Sequence, residues 1–233
     1  MKPVKLSPRT MRTNACEREA WNNNTYLVGV DEVGRGCLAG PVVTAAVILP
    51  PYTQYRLLKD SKHLKQEDRE KACCWITRHA WYAWSLVDPH LINTYNIYHA
   101  TIYAMRRAVT QLLIQTSLKP ETLLIDSVPM TYTDTFSHIY HVNQGEHVSS
   151  TIAAASIYAK VQRDRIMRDM HTIFPAYQLY RHKGYSTPQH KQQLTQFGPS
   201  FMHRKNFITW LDRSSHGDAT YTSTSLHGTQ DSE

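Results

Sequence analysis

The sequence predicts an α/β fold in which helices pack on a mixed sheet. Three observations lead there. Short apolar, β-branched runs alternate with longer stretches of helical periodicity. The early strands follow one another through tight links, as antiparallel neighbours do, and the later ones are joined as strand–helix–strand, as parallel neighbours are. A chain of 233 residues, 41% of them hydrophobic, has enough apolar surface to bury one such core.

In chain order, residues 1–24 are polar and broken by Pro3, Pro8 and Asn22-Asn23-Asn24, so they read as a flexible arm with one helical turn near Glu17. Residues 26–33 and 42–49 read as strands, linked by Gly34, Gly36 and Gly40. Residues 64–79 have helical spacing, and the aromatic run 81–87 is a third strand. Over 93–115, Ile97, Thr101, Ala104, Met105, Ala108 and Leu112 recur at steps of three and four, which predicts a long amphipathic helix. Residues 123–126 form a short buried strand ending on Asp126, and 137–142 form another short strand. A second long helix covers 150–170. A third covers 187–197, where Thr187 can cap and Pro188 suits the first turn. The domain spans 25–212, its part from about 171 onward being a helical extension. Residues 213–233 are rich in Ser, Thr, Gly and His and read as a disordered tail.

The net charge is +7. From Lys160 to Lys205 there are nine Lys/Arg and two acids, so this stretch alone matches the surplus of the chain. Such a basic stripe suits a phosphate backbone, and a solvated basic surface would account for it equally well. The four cysteines, Cys16, Cys37, Cys73 and Cys74, have no C-x-x-C spacing and read as reduced thiols of a cytoplasmic protein. No apolar stretch approaches a membrane span, so no membrane is expected.

Four acids interrupt apolar patterns. Asp31 and Glu32 stand side by side at the end of the first buried run, and Asp126 ends a later strand. Asp164 extends the stripe Ala153, Ile157, Lys160, Val161 of the long helix, on its packing face. Any one of them has an ordinary explanation, Asp126 as a loop cap or Glu32 as an arginine's partner. Together they point to an oxygen-lined site for a hard divalent cation, Mg²⁺ or Mn²⁺ rather than Zn²⁺. Adjacent strand residues face opposite ways, so Asp31 and Glu32 can share a site only if the strand bends or ends there. Gly34-Arg35-Gly36 permits close backbone approach to a ligand. Arg181-His182-Lys183-Gly184-Tyr185 offers cations and a stacking ring, or simply a surface turn. Ser61 and Ser156 show no Ser–His–Asp arrangement, His138-x-x-His141 lacks an acid partner, and Cys73-Cys74 fits core packing.

The segments GVDEVGRG, LKDSKHL, NIYHATIYAM, LLIDS, IAAASIYAKVQRD and HKGYSTPQH, in this order and spacing, resemble bacterial ribonuclease HII over about residues 26–207. The resemblance implies a ribonuclease H-like fold, a mixed five-stranded sheet flanked by helices. It implies that Asp31, Glu32, Asp126 and Asp164 are catalytic metal ligands for Mg²⁺ or Mn²⁺. It implies that Gly34, Arg35 and Gly36 read the ribose 2′-hydroxyl and that Tyr185 packs on the sugar at the RNA–DNA junction, with Lys62 and Lys183 also in the substrate site. The implied partners are RNA/DNA hybrids and DNA containing ribonucleotides, and the protein is expected to be a monomer in ribonucleotide excision repair and DNA replication. The reaction would cut 5′ of a ribonucleotide and leave 3′-hydroxyl and 5′-phosphate ends. A catalytically inactive hybrid-binding protein of the same fold is the alternative. Two departures from the family pattern stand out: Ser127 where glycine is usual, and Gln144-Gly145-Glu146 where Lys-Gly-Asp is usual.

Overall fold

A computed structural model describes residues 2–9, 11–59, 61 and 63–211. Its elements in chain order are β1 (Val4–Leu6), α1 (Ala15–Asn22), β2 (Tyr26–Val33), β3 (Val42–Ile48), α2 (Gln66–His79), β4 (Trp81–Val87), α3 (Pro89–Gln115), β5 (Pro120–Asp126), β6 (His138–Val142), α4 (Ser150–Ile173), α5 (Leu179–His182) and α6 (Pro188–Phe197). The strands form one mixed sheet in the order β1-β6-β5-β2-β3-β4. β2 and β3, joined by a short link, run antiparallel, as do β3 and β4, which are joined through α2, while β2, β5, β6 and β1 run parallel.

The expected α/β architecture is present, with six strands in place of five. The added strand, Val4–Leu6, lies in the segment read as a flexible arm and pairs with β6. Three residues carry too little alternation to announce a strand, and the open edge of β6 supplies the hydrogen bonds instead. The rest of the arm is anchored too. Helix α1 buries Glu17, whose carboxylate accepts from the Ser149 hydroxyl and from the Thr151 N–H at 3.2 Å. It thereby satisfies free donors at the start of α4, where a negative charge is favourable. The tail from 213 and Lys62 lie outside the described residues.

Alternation along the strands sorts the core into two layers. Val43, Ala45 and Val47 of β3 face α2 and α4, while Ala46 and Ile48 join Val28 and Val30 of β2 and Leu123 and Ile125 of β5 against α3. The other side of β2 approaches the start of α4 so closely that a Cβ at Gly29 would lie 2.7 Å from the Thr151 carbonyl carbon. Glycine at 29 therefore sets how near α4 lies to the sheet. Helix α3 is broken at Asn96, which has φ 65° and whose side chain accepts from the N–H groups of Tyr98 and His99. The C-terminal part, with α5 and α6, packs through Leu179, Leu194 and Ile208 onto Leu38 and Ala39 of the β2–β3 link and Met167 of α4. Among the described residues the four cysteines are free thiols, and no helix is long and apolar enough to cross a membrane.

Candidate active site

The last hydrogen-bonded rung between β2 and β5 pairs Val30 with Ile125. One residue further come Asp31 and Asp126, both turned to the α4 side of the sheet, opposite Val30 and Ile125. They line a cleft of about 240 Å³ with Glu32, Gly34, Arg35, Gly36, Ser61, Ser127, Ser156, Lys160 and Tyr185. Carboxyl ends of strands in open α/β sheets are where ligands collect, because loops diverge there. Glu32 shares the cleft although its strand pairing continues, Glu32 opposite Thr44. Its carboxylate is held by the Arg35 guanidinium at 3.3 Å, and its N–H donates to Asp31 Oδ1 at 2.7 Å.

Burial raises the pKa of Asp31 well above the usual carboxylate range, and the charges of Glu32 and Asp126 add to it. The Ser156 hydroxyl, donating to Asp31, tempers the rise. Glu32 is pushed up to about 7 by burial, against the pull of Arg35, with Asp126 raising it further. Asp126 is raised to about 6, again mainly by burial, while the Gly145 N–H at 3.0 Å lowers it and Glu146 raises it.

The structure does not bring Asp164 into this group. Ser156 of α4 lines the cleft, and its hydroxyl meets that of Ser61 at 2.9 Å. Lys160, one turn on, still lines it. Asp164 lies about 12 Å further along the axis than Ser156 and is turned by about 80°. It pairs with Lys160 at 2.7 Å and borders a separate hollow with Arg69, Arg168 and Lys183. The acid that approaches Asp126 instead is Glu146, which is buried in the 3₁₀ turn Gly145–His147 between β6 and α4. Sequence periodicity missed it because it sits in a turn. Topology carries the signal: β6 runs parallel to β5, so the link that follows β6 arrives at the end of the sheet where Asp126 stands.

The departures from the expected motif fall at these two acids, Ser127 directly after Asp126 and Gln144-Gly145 directly before Glu146. Ser127 has φ 58° and Gln144 φ 58°, a left-handed conformation that glycine adopts without cost and other residues rarely do. The chain accepts this strain at the residue after Asp126 and at the N-terminal edge of the turn that presents Glu146.

The cleft is also lined by residues 34–36, the start of the 34–41 loop. A Cβ at Gly34, φ 98°, would lie 2.1 Å from Arg163 Nε, whereas a Cβ at Gly36 would meet nothing within 4 Å among the described residues. Tyr185 is partly exposed, with the cations of Lys160 and Arg163 5.5 and 5.6 Å from its ring centre. Lys183 follows α5 and donates to the Tyr180 carbonyl, and burial lowers its pKa. The basic stripe is smaller than its sequence suggests. Arg163 and Arg204, two of its nine cations, are completely buried and bind backbone carbonyls.

As a cation site the acidic wall has the right chemistry. All its donors are carboxylate oxygens, and Glu32 Oε2 is buried without a hydrogen-bond partner among the described residues. Among the described residues no three Asp, Glu, His or Cys side chains already converge as chelators. Asp31 and Asp126 are turned to the N–H groups of Glu32 and Gly145.

A family model described as Ribonuclease HII matches residues 28–210. The Ribonuclease HII of Koribacter versatilis (strain Ellin345) is 44% identical over 212 residues, covering 89% of this chain and 80% of that protein. The ribonuclease H2 structure from Pyrococcus horikoshii OT3 aligns with a TM-score of 0.65 at 23% identity, over 82% of this chain and 100% of the other. A structure of Bst-RNase HIII in complex with Mn²⁺ aligns with a TM-score of 0.58 at 18% identity, over 81% and 71%. At such identities these two structures share the fold.

Proposed function

The chain belongs to the ribonuclease HII family, and from that premise we propose that its strand-end cleft cuts the RNA strand of RNA/DNA hybrids and cuts DNA on the 5′ side of embedded ribonucleotides. The chain is an enzyme, a ribonuclease acting on RNA/DNA hybrids. One observation carries the assignment of the site: Asp31, Glu32 and Asp126, from two strands that are far apart in sequence and paired in the sheet, meet in one cleft lined also by Gly34, Arg35 and Gly36.

Asp31, Glu32, Asp126 and Glu146 would hold the divalent cation, Mg²⁺ or Mn²⁺. Bound there, it would supply activation of the attacking water and neutralisation of the leaving oxygen. The protein's own groups do the rest. Arg35 holds Glu32 in place. Ser156 fixes Asp31, and Gly145 fixes Asp126. The loop 34–36 reads the sugar, Tyr185 stacks against it, and Lys160, oriented by Asp164, faces the phosphates. Lys183 and Lys62 add cationic contacts to the strand. The products are a 3′-hydroxyl and a 5′-phosphate.

The test is a DNA duplex carrying one ribonucleotide, incubated with Mg²⁺, with Mn²⁺ and with EDTA, beside an all-DNA duplex. The expected result is a single metal-dependent cut 5′ of the ribonucleotide and an intact all-DNA control. Salt-sensitive binding without any metal-dependent product would identify a hybrid binder instead. Cutting of the all-DNA duplex would remove the ribose-reading role of the loop.

A further inference from the structure

We infer that Arg204 and Arg163 are positioning residues for ribose recognition, holding the 34–41 loop so that the Gly36 N–H is aimed into the cleft. This rests on the reading in which that loop senses the 2′-hydroxyl. Both guanidiniums are fully buried, and every one of their nitrogens donates to a backbone carbonyl. Arg163 bonds Pro41 O at 2.9 Å, Lys183 O at 2.9 Å and Ala39 O at 3.1 Å. Arg204 bonds Gly40 O twice, at 3.0 and 2.8 Å, and Arg35 O at 2.7 Å. Among the described residues neither meets a carboxylate within ion-pair distance. Two buried cations spent on carbonyls of one loop and its neighbouring turn are costly unless the loop's exact course matters.

Peptide planarity gives the consequence. In a trans peptide the C=O of one residue and the N–H of the next point in opposite directions. With the Ala39 carbonyl on Arg163, the Gly40 N–H turns the other way and donates to Met202 O at 2.8 Å. With the Gly40 carbonyl on Arg204, the next residue is Pro41, which has no N–H to strand. With the Arg35 carbonyl on Arg204, the Gly36 N–H turns away from that guanidinium, at a residue that lines the cleft and whose added Cβ would meet nothing within 4 Å among the described residues. That donor is aimed by a side chain 168 positions later in the chain, counting from Gly36 to Arg204. The backbone of the same C-terminal segment helps, since the Arg204 N–H donates to Leu38 O at 2.8 Å. The turn before Tyr185 is tied in as well, Gly184 O accepting from Leu38 N at 2.8 Å.

The experiment compares wild type with Arg204→Lys, which keeps the charge but lacks the fork needed to hold Arg35 O and Gly40 O together. Affinity is read by fluorescence anisotropy in EDTA, for a duplex with one ribonucleotide and for the all-DNA duplex of the same sequence. Wild type should favour the first, and Arg204→Lys should narrow that preference at least threefold while binding all-DNA duplex as wild type does. An unchanged preference in a folded Arg204→Lys protein overturns the inference. No preference in wild type itself sinks the ribose-reading role and leaves the loop's geometry aside. Should Arg204→Lys not fold, ¹⁵N-labelled wild type decides. The Gly36 amide signal should exchange rapidly with solvent and shift more with the ribonucleotide duplex than with DNA. A Gly36 amide that is protected, or indifferent to the 2′-hydroxyl, overturns the inference.

Discussion

At the strand ends Asp31, Glu32 and Asp126 crowd together, burial raises the pKa of all three, and Glu32 Oε2 finds no hydrogen bond among the described residues. Beside the same cleft Arg163 and Arg204 are as deeply buried, yet each guanidinium nitrogen meets a carbonyl oxygen. Both walls bury charge. The acidic wall leaves its charges opposing one another, and a cation would relieve it. The basic wall is complete by itself, so it acts as scaffold. Charge at a site thus does not announce its role; the state of its hydrogen bonds does.

The largest effect that tests this contrast comes from Asp31→Asn. On the acidic wall it removes a ligand and one repelling charge together. Turnover of a hybrid should fall by about three orders of magnitude, equivalent to about 4 kcal/mol of transition-state stabilisation. Thermal unfolding measured without divalent ions should not fall, since a crowded charge has gone. Near-normal turnover would refute the catalytic role of Asp31, and a lower melting temperature would refute the idea that this wall is internally opposed.

Next in size is a comparison between two acids. Glu146 approaches Asp126, and Asp164 pairs with the cleft residue Lys160 but itself borders a separate hollow. Glu146→Gln should lower kcat/KM at saturating Mg²⁺ by about a hundredfold, about 2.7 kcal/mol, and Asp164→Asn by less than about tenfold. The reverse ranking would restore Asp164 to the cation site.

The pair also marks where the sequence could be read and where it could not. Asp31 and Asp126 were visible because an acid at the end of an apolar β-run breaks a strong period. Asp164 was visible too, but a helical stripe drifts around its axis, and two turns carried that residue out of the cleft. Glu146 broke no period, since its 3₁₀ turn has none. Strand Val4–Leu6 was hidden for the same reason of length. Arg163 and Arg204 were counted with the surface cations, because a sequence shows a charge and not the carbonyls that enclose it. Ser61 and Ser156 form no triad, yet both line the cleft, where Ser156 donates to Asp31 and Ser61 meets the Ser156 hydroxyl.

A smaller effect concerns pH. Asp126 and Glu32 have folded pKa values raised to about 6 and about 7. Between their unfolded values, near 4, and these, the folded state holds more protons than the unfolded state, so stability without metal falls as pH rises through that window. His190 and His203, lowered to about 4 mainly by burial, work in the opposite sense, since there the unfolded state holds more protons and stability rises with pH. Asp126→Asn separates the two. Melting curves in EDTA from pH 5 to pH 7.5 should show wild type losing a few degrees relative to Asp126→Asn as pH rises, on the order expected for about 1 kcal/mol. Adding Mg²⁺ should reduce the difference. Parallel curves would show that Asp126 is not opposed by its neighbours.

The smallest effect belongs to the reading wall. Tyr185 is 38% exposed, and its ring lies over Arg163, which is itself fixed by three carbonyls. Truncation should therefore leave the loop in place and remove only the platform offered to a sugar. Stacking of this kind is worth about 1–3 kcal/mol. Tyr185→Ala should lower kcat/KM about tenfold on a duplex with one ribonucleotide, where the junction is the only place to grip. On a continuous hybrid, with many equivalent ribose positions and the same acidic wall, the loss should stay below about threefold. An equal loss on both would mean that the ring supports the catalytic wall as well, and the division between a scaffolded reader and an opposed acid cluster would no longer hold.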